Sequence, residues 1–174
     1  MPDPELSAQV VIGPAVQVLA EVAARAGDLR PVYLGPLKNS LDQFFTSQFS
    51  TAGAEGGTPW APLTPATLAS KARSHRAGMG ILRFTNRLWA SLVKPTPANL
   101  GISRASENLY FRGTQVPYAL FHQYGYTVSR WGKQLFHNPR AVPARPLIPV
   151  RMPTAYVEAW ARSVQRYVVD GVVE

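Results

Sequence analysis

The chain has 174 residues, 46% of them apolar and only 16% charged, with a formal charge of +8 and no cysteine. That length suits one domain with a core of its own, the apolar share argues against disorder, and the missing cysteines exclude a disulfide framework or a thiolate metal site. A typical soluble domain is about 25% charged, so the lower share here points to surface that partners cover.

Gly13-Pro14 opens the first predicted helix, where Ala15, Leu19, Val22 and Ala26 form a thin apolar stripe and Gly27 stands where a left-handed cap belongs. Residues 28–35, with Pro31 and the adjoining Pro36, read as a connector that cannot continue that helix. A stronger pattern follows over 37–49. Leu37, Leu41, Phe44, Phe45 and Gln48 fall on one side, which makes this the expected core helix. Gly53, Gly56 and Gly57 make 50–59 a flexible loop, and it lacks the preceding strand and following helix that a phosphate-cradling loop needs.

Thr64 followed by Pro65 is a helix start with a mechanism: the hydroxyl accepts from an orphan backbone N–H, and proline sits where no N–H is needed. The helix is expected over 65–75, with Gly78 and Gly80 breaking it and Trp60 and Leu63 as apolar anchors in front. Thr85 is placed to cap a second helix carrying Leu88, Trp89 and Leu92, which Pro95 stops. The character then turns extended, with strand candidates at 92–94, 100–103 and 107–113.

A short helix over 118–124 ends at Gly125. Residues 126–140, with Trp131 and Phe136 among Arg130, Lys133 and Arg140, show no clean period and read as a long loop or projecting hairpin whose aromatic and arginine content favours an interface. Pro143, Pro146, Pro149 and Pro153 punctuate an extended segment, with Leu147, Ile148 and Val150 placed to add an edge strand. The last helix, 154–168, carries Val157, Trp160, Ala161, Val164 and Val168 as a core-facing stripe. The fold class is therefore α+β in one domain over 1–174: N-terminal helices, a small antiparallel β-sheet in the middle, a C-terminal helix, and a projecting loop at about 126–140.

The charge is one-sided. From Lys71 to Arg151 the basic residues face a single acid, Glu107, while the ends hold all the others. Such a segment self-repels unless it meets a negative surface. Three readings stay open: a solvated face, an acidic protein partner, or nucleic-acid phosphate. The last makes a nucleic-acid-binding module the rival function, with salt-dependent affinity as its mark.

Little points to catalysis. His75, His122 and His137 are not spaced as metal ligands, and the basic region's lone carboxylate leaves paired-carboxylate and two-metal chemistry without ligands. The expectation is no enzyme, no cofactor and no metal. His122 is expected to pack on Tyr118 and cap a backbone carbonyl. Trp60, Trp89 and Trp160 read as core, and Trp131 as interface. The acidic start, Met1-Pro2-Asp3-Pro4-Glu5, is the reverse of a signal peptide, and no apolar run approaches the roughly 20 residues of a membrane span. A soluble protein made inside the cell, with no membrane partner, is expected.

Three segments, in order, carry a resemblance. Residues 60–69 read W-x-P-L-x-P-x-T-L-A and 81–91 read I-L-x-x-T-x-x-L-x-x-S; residues 118–125 read Y-A-x-x-H-x-x-G; and Val142-Pro143-Ala144-Arg145-Pro146-Leu147 is close to I-P-A-R-P-F. Over roughly 35–168 the chain resembles the phage virion morphogenesis family, the tail-completion or neck proteins of Mu-like and related tailed phages. The family usually has Gly where Asn86 stands and often Phe where Leu147 stands. The resemblance implies a virion protein at the head–tail junction, assembled in the host cytoplasm, that completes or terminates the tail so that it joins the capsid. It also implies a ring of copies, six by likeness, that meets neck, connector and tail-tube proteins and lies near DNA in the channel. The partner-interface residues expected on the basic segment are Arg130, Trp131, Lys133, Phe136, Arg140 and Arg145.

Overall fold

The computed structural model describes residues 13–128 and 140–173. Helix α1 spans Gly13–Gly27 as expected, but its apolar stripe is not buried: Leu19 is 67% exposed, and Val16 and Val18 are also open. The helix lies alongside the C-terminal helix, where Arg25 Nη1 donates to the Val169 carbonyl at 3.1 Å. The expected connector is helical instead. Pro31 sits in the first turn of α2 (Arg30–Val32), where a missing N–H leaves nothing unsatisfied, and Asp28 Oδ1 accepts from the Arg30 N–H at 3.0 Å. A π-turn, Tyr33–Leu37, then leads into α3 (Lys38–Ser50). Gly35 leaves helical geometry immediately before Pro36, and that break is what accommodates the proline.

Helix α3 is the core helix. Phe44, Phe45, Gln48 and Phe49 are buried on it, against Leu88, Leu92 and Val93 of α5 (Arg87–Val93). Phe44 meets Phe45 and Tyr156 edge-on at 5.3 Å, and Phe49 meets Trp60 at 5.4 Å. Each such ring contributes about 1.5–3 kcal/mol by leaving water, plus a further increment from edge-to-face geometry.

The glycine-rich stretch after α3 is a packed turn, not a loose loop. Gly53 has φ +91°, and a Cβ there would come within 2.4 Å of the Trp60 ring. Gln48, 1% exposed, accepts from the Gly56 N–H at 2.7 Å and donates to the Pro146 carbonyl at 3.0 Å. The Trp60 indole donates to that same carbonyl at 2.8 Å. One buried amide and one indole thus tie the turn to the proline-rich segment across the core.

Thr64 caps α4 (Pro65–Arg73) as expected, its hydroxyl accepting from the Thr67 N–H at 3.3 Å. The helix stops two residues early because His75 turns left-handed, at φ 54°. Asn86 takes the cap of α5, at φ 58°, with Thr85 reaching only the Arg87 N–H at 3.4 Å. Asn is among the few residues that tolerate this conformation, which explains a glycine at this position in the family.

Strands β1 (Gly101–Ser106) and β2 (Leu109–Thr114) form an antiparallel hairpin, in register from Gly101↔Thr114 to Ser106↔Leu109. Leu92 ends α5 with Val93, as the second-helix reading had it, and the strand candidate at 92–94 does not form. After α6 (Ala119–Tyr124), β3 (Tyr126–Val128) pairs antiparallel with β4 (Arg140–Val142), the base of the expected hairpin. No strand forms at 147–150. Gln123 serves that segment as a surrogate neighbour: its Oε1 accepts from the Leu147 and Ile148 N–H groups at 2.8 and 3.1 Å, and its Nε2 donates to the Ile148 carbonyl at 2.7 Å. Leu147, on the last family-like motif, is buried in the core.

Helix α7 (Thr154–Asp170) closes the described chain. Its packed face keeps Trp160, Val164 and Val168 of the expected stripe half-buried and adds Tyr156, while Val157 is 48% exposed and Ala161 open. Tyr156 donates to Glu55 at 2.7 Å, its pKa pushed up to about 12 by burial and that bond, and the Trp160 indole donates to Ser40 at 3.0 Å. Large rings with polar tips outcompete valine and alanine for a half-wet seam. The α+β class holds, with helices first, the hairpin in the middle and a helix last.

Candidate interaction surfaces

Of the six expected interface residues, Arg130, Trp131, Lys133 and Phe136 lie outside the described residues. Arg140 pairs through its backbone with Val128 in the β3–β4 ladder. Arg145 is only 7% exposed: its Nε and Nη2 donate to the carbonyls of Ala61 and Pro62 at 3.1 and 3.4 Å, and its N–H to the His122 carbonyl at 2.6 Å. It is therefore an internal clamp on the Trp60 segment, not the surface anchor expected from its charge.

The basic middle contains two further clamps. Lys71, 4% exposed and the one buried residue on α4, donates to the carbonyls of Met79 and Gly80 at 2.9 and 2.7 Å and so folds the glycine-containing turn back onto the helix. Arg112 bonds the carbonyls of Leu92 and Val93 at the end of α5 and pairs with Asp42 of α3. Charge-assisted bonds to carbonyls contribute about 1.5–3 kcal/mol each before desolvation is counted. Strand alternation gives a trace of Arg112 beforehand, since Tyr110, Arg112 and Thr114 share a face while Phe111, 53% exposed, points away. Gln48 has a similar signal, as the one polar residue on an apolar stripe. Lys71 has none.

A groove of about 830 Å³ opens between α4, the 82–85 turn, α6 and residues 142–145. Its walls carry Leu63, Leu82 and Phe84, its basic groups are Lys71, Arg83, Arg87 and Arg145, and among the described residues no Asp or Glu lines it. Arg83 is held over the Trp89 ring at 4.9 Å and donates to Asn86 at 3.2 Å, while Arg76 covers Phe84 at 4.4 Å. His122 lies in the wall, edge-on to Tyr118 at 5.9 Å as expected, but caps no carbonyl through Nδ1: that atom is buried without a hydrogen-bond partner. Burial, and then the Arg145 charge, hold its pKa below the usual histidine value. Burial, and then Arg83, lower that of Lys71.

A second, apolar groove of about 630 Å³ runs between β2, α6 and residues 147–150. Leu120, Tyr124 and Val150 line it and are 66%, 76% and 100% exposed. Such apolar exposure marks surface meant for contact. Among the described residues no group of three or more His, Asp or Glu could hold a metal ion, and no helix is long and apolar enough to cross a membrane.

The described residues form a helical domain stapled by buried cations that leaves a basic and an apolar groove open. The phage virion morphogenesis family matches residues 11–154, and the chain belongs to it. No curated protein and no solved structure matches. Membership gives the chain a structural or assembly role in a phage virion.

Proposed function

We propose that this protein acts at the head–tail junction, completing or terminating the tail so that it joins the capsid, and that it does so by assembly and not by turnover. Copies form a ring, six by family likeness, through heterologous contacts that close by rotation. Its neighbours are neck, connector and tail-tube proteins, with DNA passing nearby in the channel. The observation that carries this reading is family membership over residues 11–154, joined to the exposed apolar side chains of α1, α6 and the 147–150 segment, which copies and neighbours would cover.

The basic 126–140 segment guides docking, with Trp131 and Phe136 as buried anchors and Arg130, Lys133 and Arg140 as steering charges. Changing those three cations together to Glu is expected to leave the chain folded and to abolish joining of tails to heads, measured as virion yield with electron microscopy of the unjoined parts. Normal yield would refute the reading. Duplex DNA binding by the purified chain that falls steeply with salt, and is lost in the same variant, would move the function to nucleic acid.

A further inference from the structure

The groove between α4 and α6 is electrostatically incomplete. Arg112 shows how this fold treats a buried cation when the site is internal: Asp42 comes with it. Lys71 and Arg145 are buried as deeply, yet the partners of their charged groups are neutral carbonyls. Arg83 and Arg87 stand on the same groove, and among the described residues no carboxylate lines it. Basic groups press on one another there, Arg83 on Lys71 and Arg145 on His122. The Nδ1 atom of His122, buried in the wall, has no partner. Buried charge and buried polar atoms are costly unless matched, and an apolar-walled cleft of one sign concentrates the field that draws in the opposite one.

We infer that this groove is a docking site for an acidic peptide segment of a partner protein, one that carries at least one apolar side chain. Its carboxylates answer Arg83 and Arg87, and its apolar side chain meets Leu63, Leu82 and Phe84, the last 40% exposed. The hydroxyls of Thr64, Thr67 and Thr85 line the same cleft and suit a peptide backbone. Duplex DNA fits this site poorly. A phosphate track needs a row of exposed cations, whereas two of the four here are committed to internal carbonyls and the walls between them are apolar. The site is lined by described residues outside 126–140 and does not depend on where in the virion the protein sits.

The test uses the full chain and a short fluorescein-labelled peptide alternating Glu and Leu, with its Gln-for-Glu analogue and a duplex oligonucleotide as comparisons. Saturable anisotropy is expected with the acidic peptide, weakened about tenfold or more with the analogue and by a similar factor in Arg87→Glu, an exposed position whose change leaves the core alone. The acidic peptide should also raise the melting temperature of the wild-type chain but not of Arg87→Glu. Absence of saturation, equal binding of the analogue, or DNA binding tighter than peptide binding and lost in the same variant would each overturn the proposal. Virion yield plays no part in this readout, so its failure leaves the head–tail reading untouched.

Discussion

Arg112 and Lys71 are both long cations, both buried, and both bonded to carbonyls at the end of a helix or turn, yet they sit in opposite electrical settings. Around Arg112 the hairpin, α3 and α5 converge, and Asp42, itself also bonded to Lys38 at 2.9 Å, balances the charge. Around Lys71 the chain supplies carbonyls and more cations. The first site is closed and self-sufficient, a staple for the core. The second holds a turn in place while leaving positive charge over. The difference separates what the fold uses for its own stability from what it presents outward.

The largest effect expected is at the closed site. Arg112→Met strips the bonds to Leu92 and Val93 and leaves the buried side of Asp42 with only Lys38, so a loss of about 3 kcal/mol is expected in urea denaturation. Lys71→Met removes two bonds but also a buried charge that no carboxylate among the described residues neutralises. The two effects oppose, the freed carbonyls border an open groove, and the expected loss is about 1 kcal/mol. Equal losses for the two variants would erase the distinction between the sites.

The sequence carried the elements better than it carried this distinction. Thr64-Pro65 and the phenylalanines of α3 declared a helix start and a core face through local chemistry, which survives into the fold unchanged. Where readings failed, the deciding partner was distant. Pro31 and Pro36 argued for a connector, but proline in a first turn and a glycine break before the second let helix continue. The stripe on α1 has helical period yet faces outward, because periodicity reports that a face is apolar and not what covers it. Among the basic residues nothing local separates Lys71 and Arg145 from exposed neighbours such as Arg73 and Arg87, and strand alternation alone hints at Arg112. Their burial follows from carbonyls brought in from other parts of the chain. Reading 71–151 as one cationic surface therefore merged internal clamps with outward charge.

The smallest effect expected is a pH dependence confined to the groove side. His122 faces Arg145 across a wall whose other charged groups, Lys71, Arg83 and Arg87, are all basic, and its pKa is held below the value it has unfolded. The unfolded chain then binds the proton more readily than the folded one, so stability rises with pH. His122's contribution is present above the unfolded histidine value, about 6.5, and is lost as pH falls through the lower folded value. The informative quantity is a difference from wild type: His122→Phe should flatten the slope of stability against pH below about 6.5, while Arg112→Met shifts the whole curve down without changing that slope. An unchanged slope in His122→Phe would mean that solvent reaches Nδ1 freely, and the groove would lose its claim to a buried group awaiting a partner.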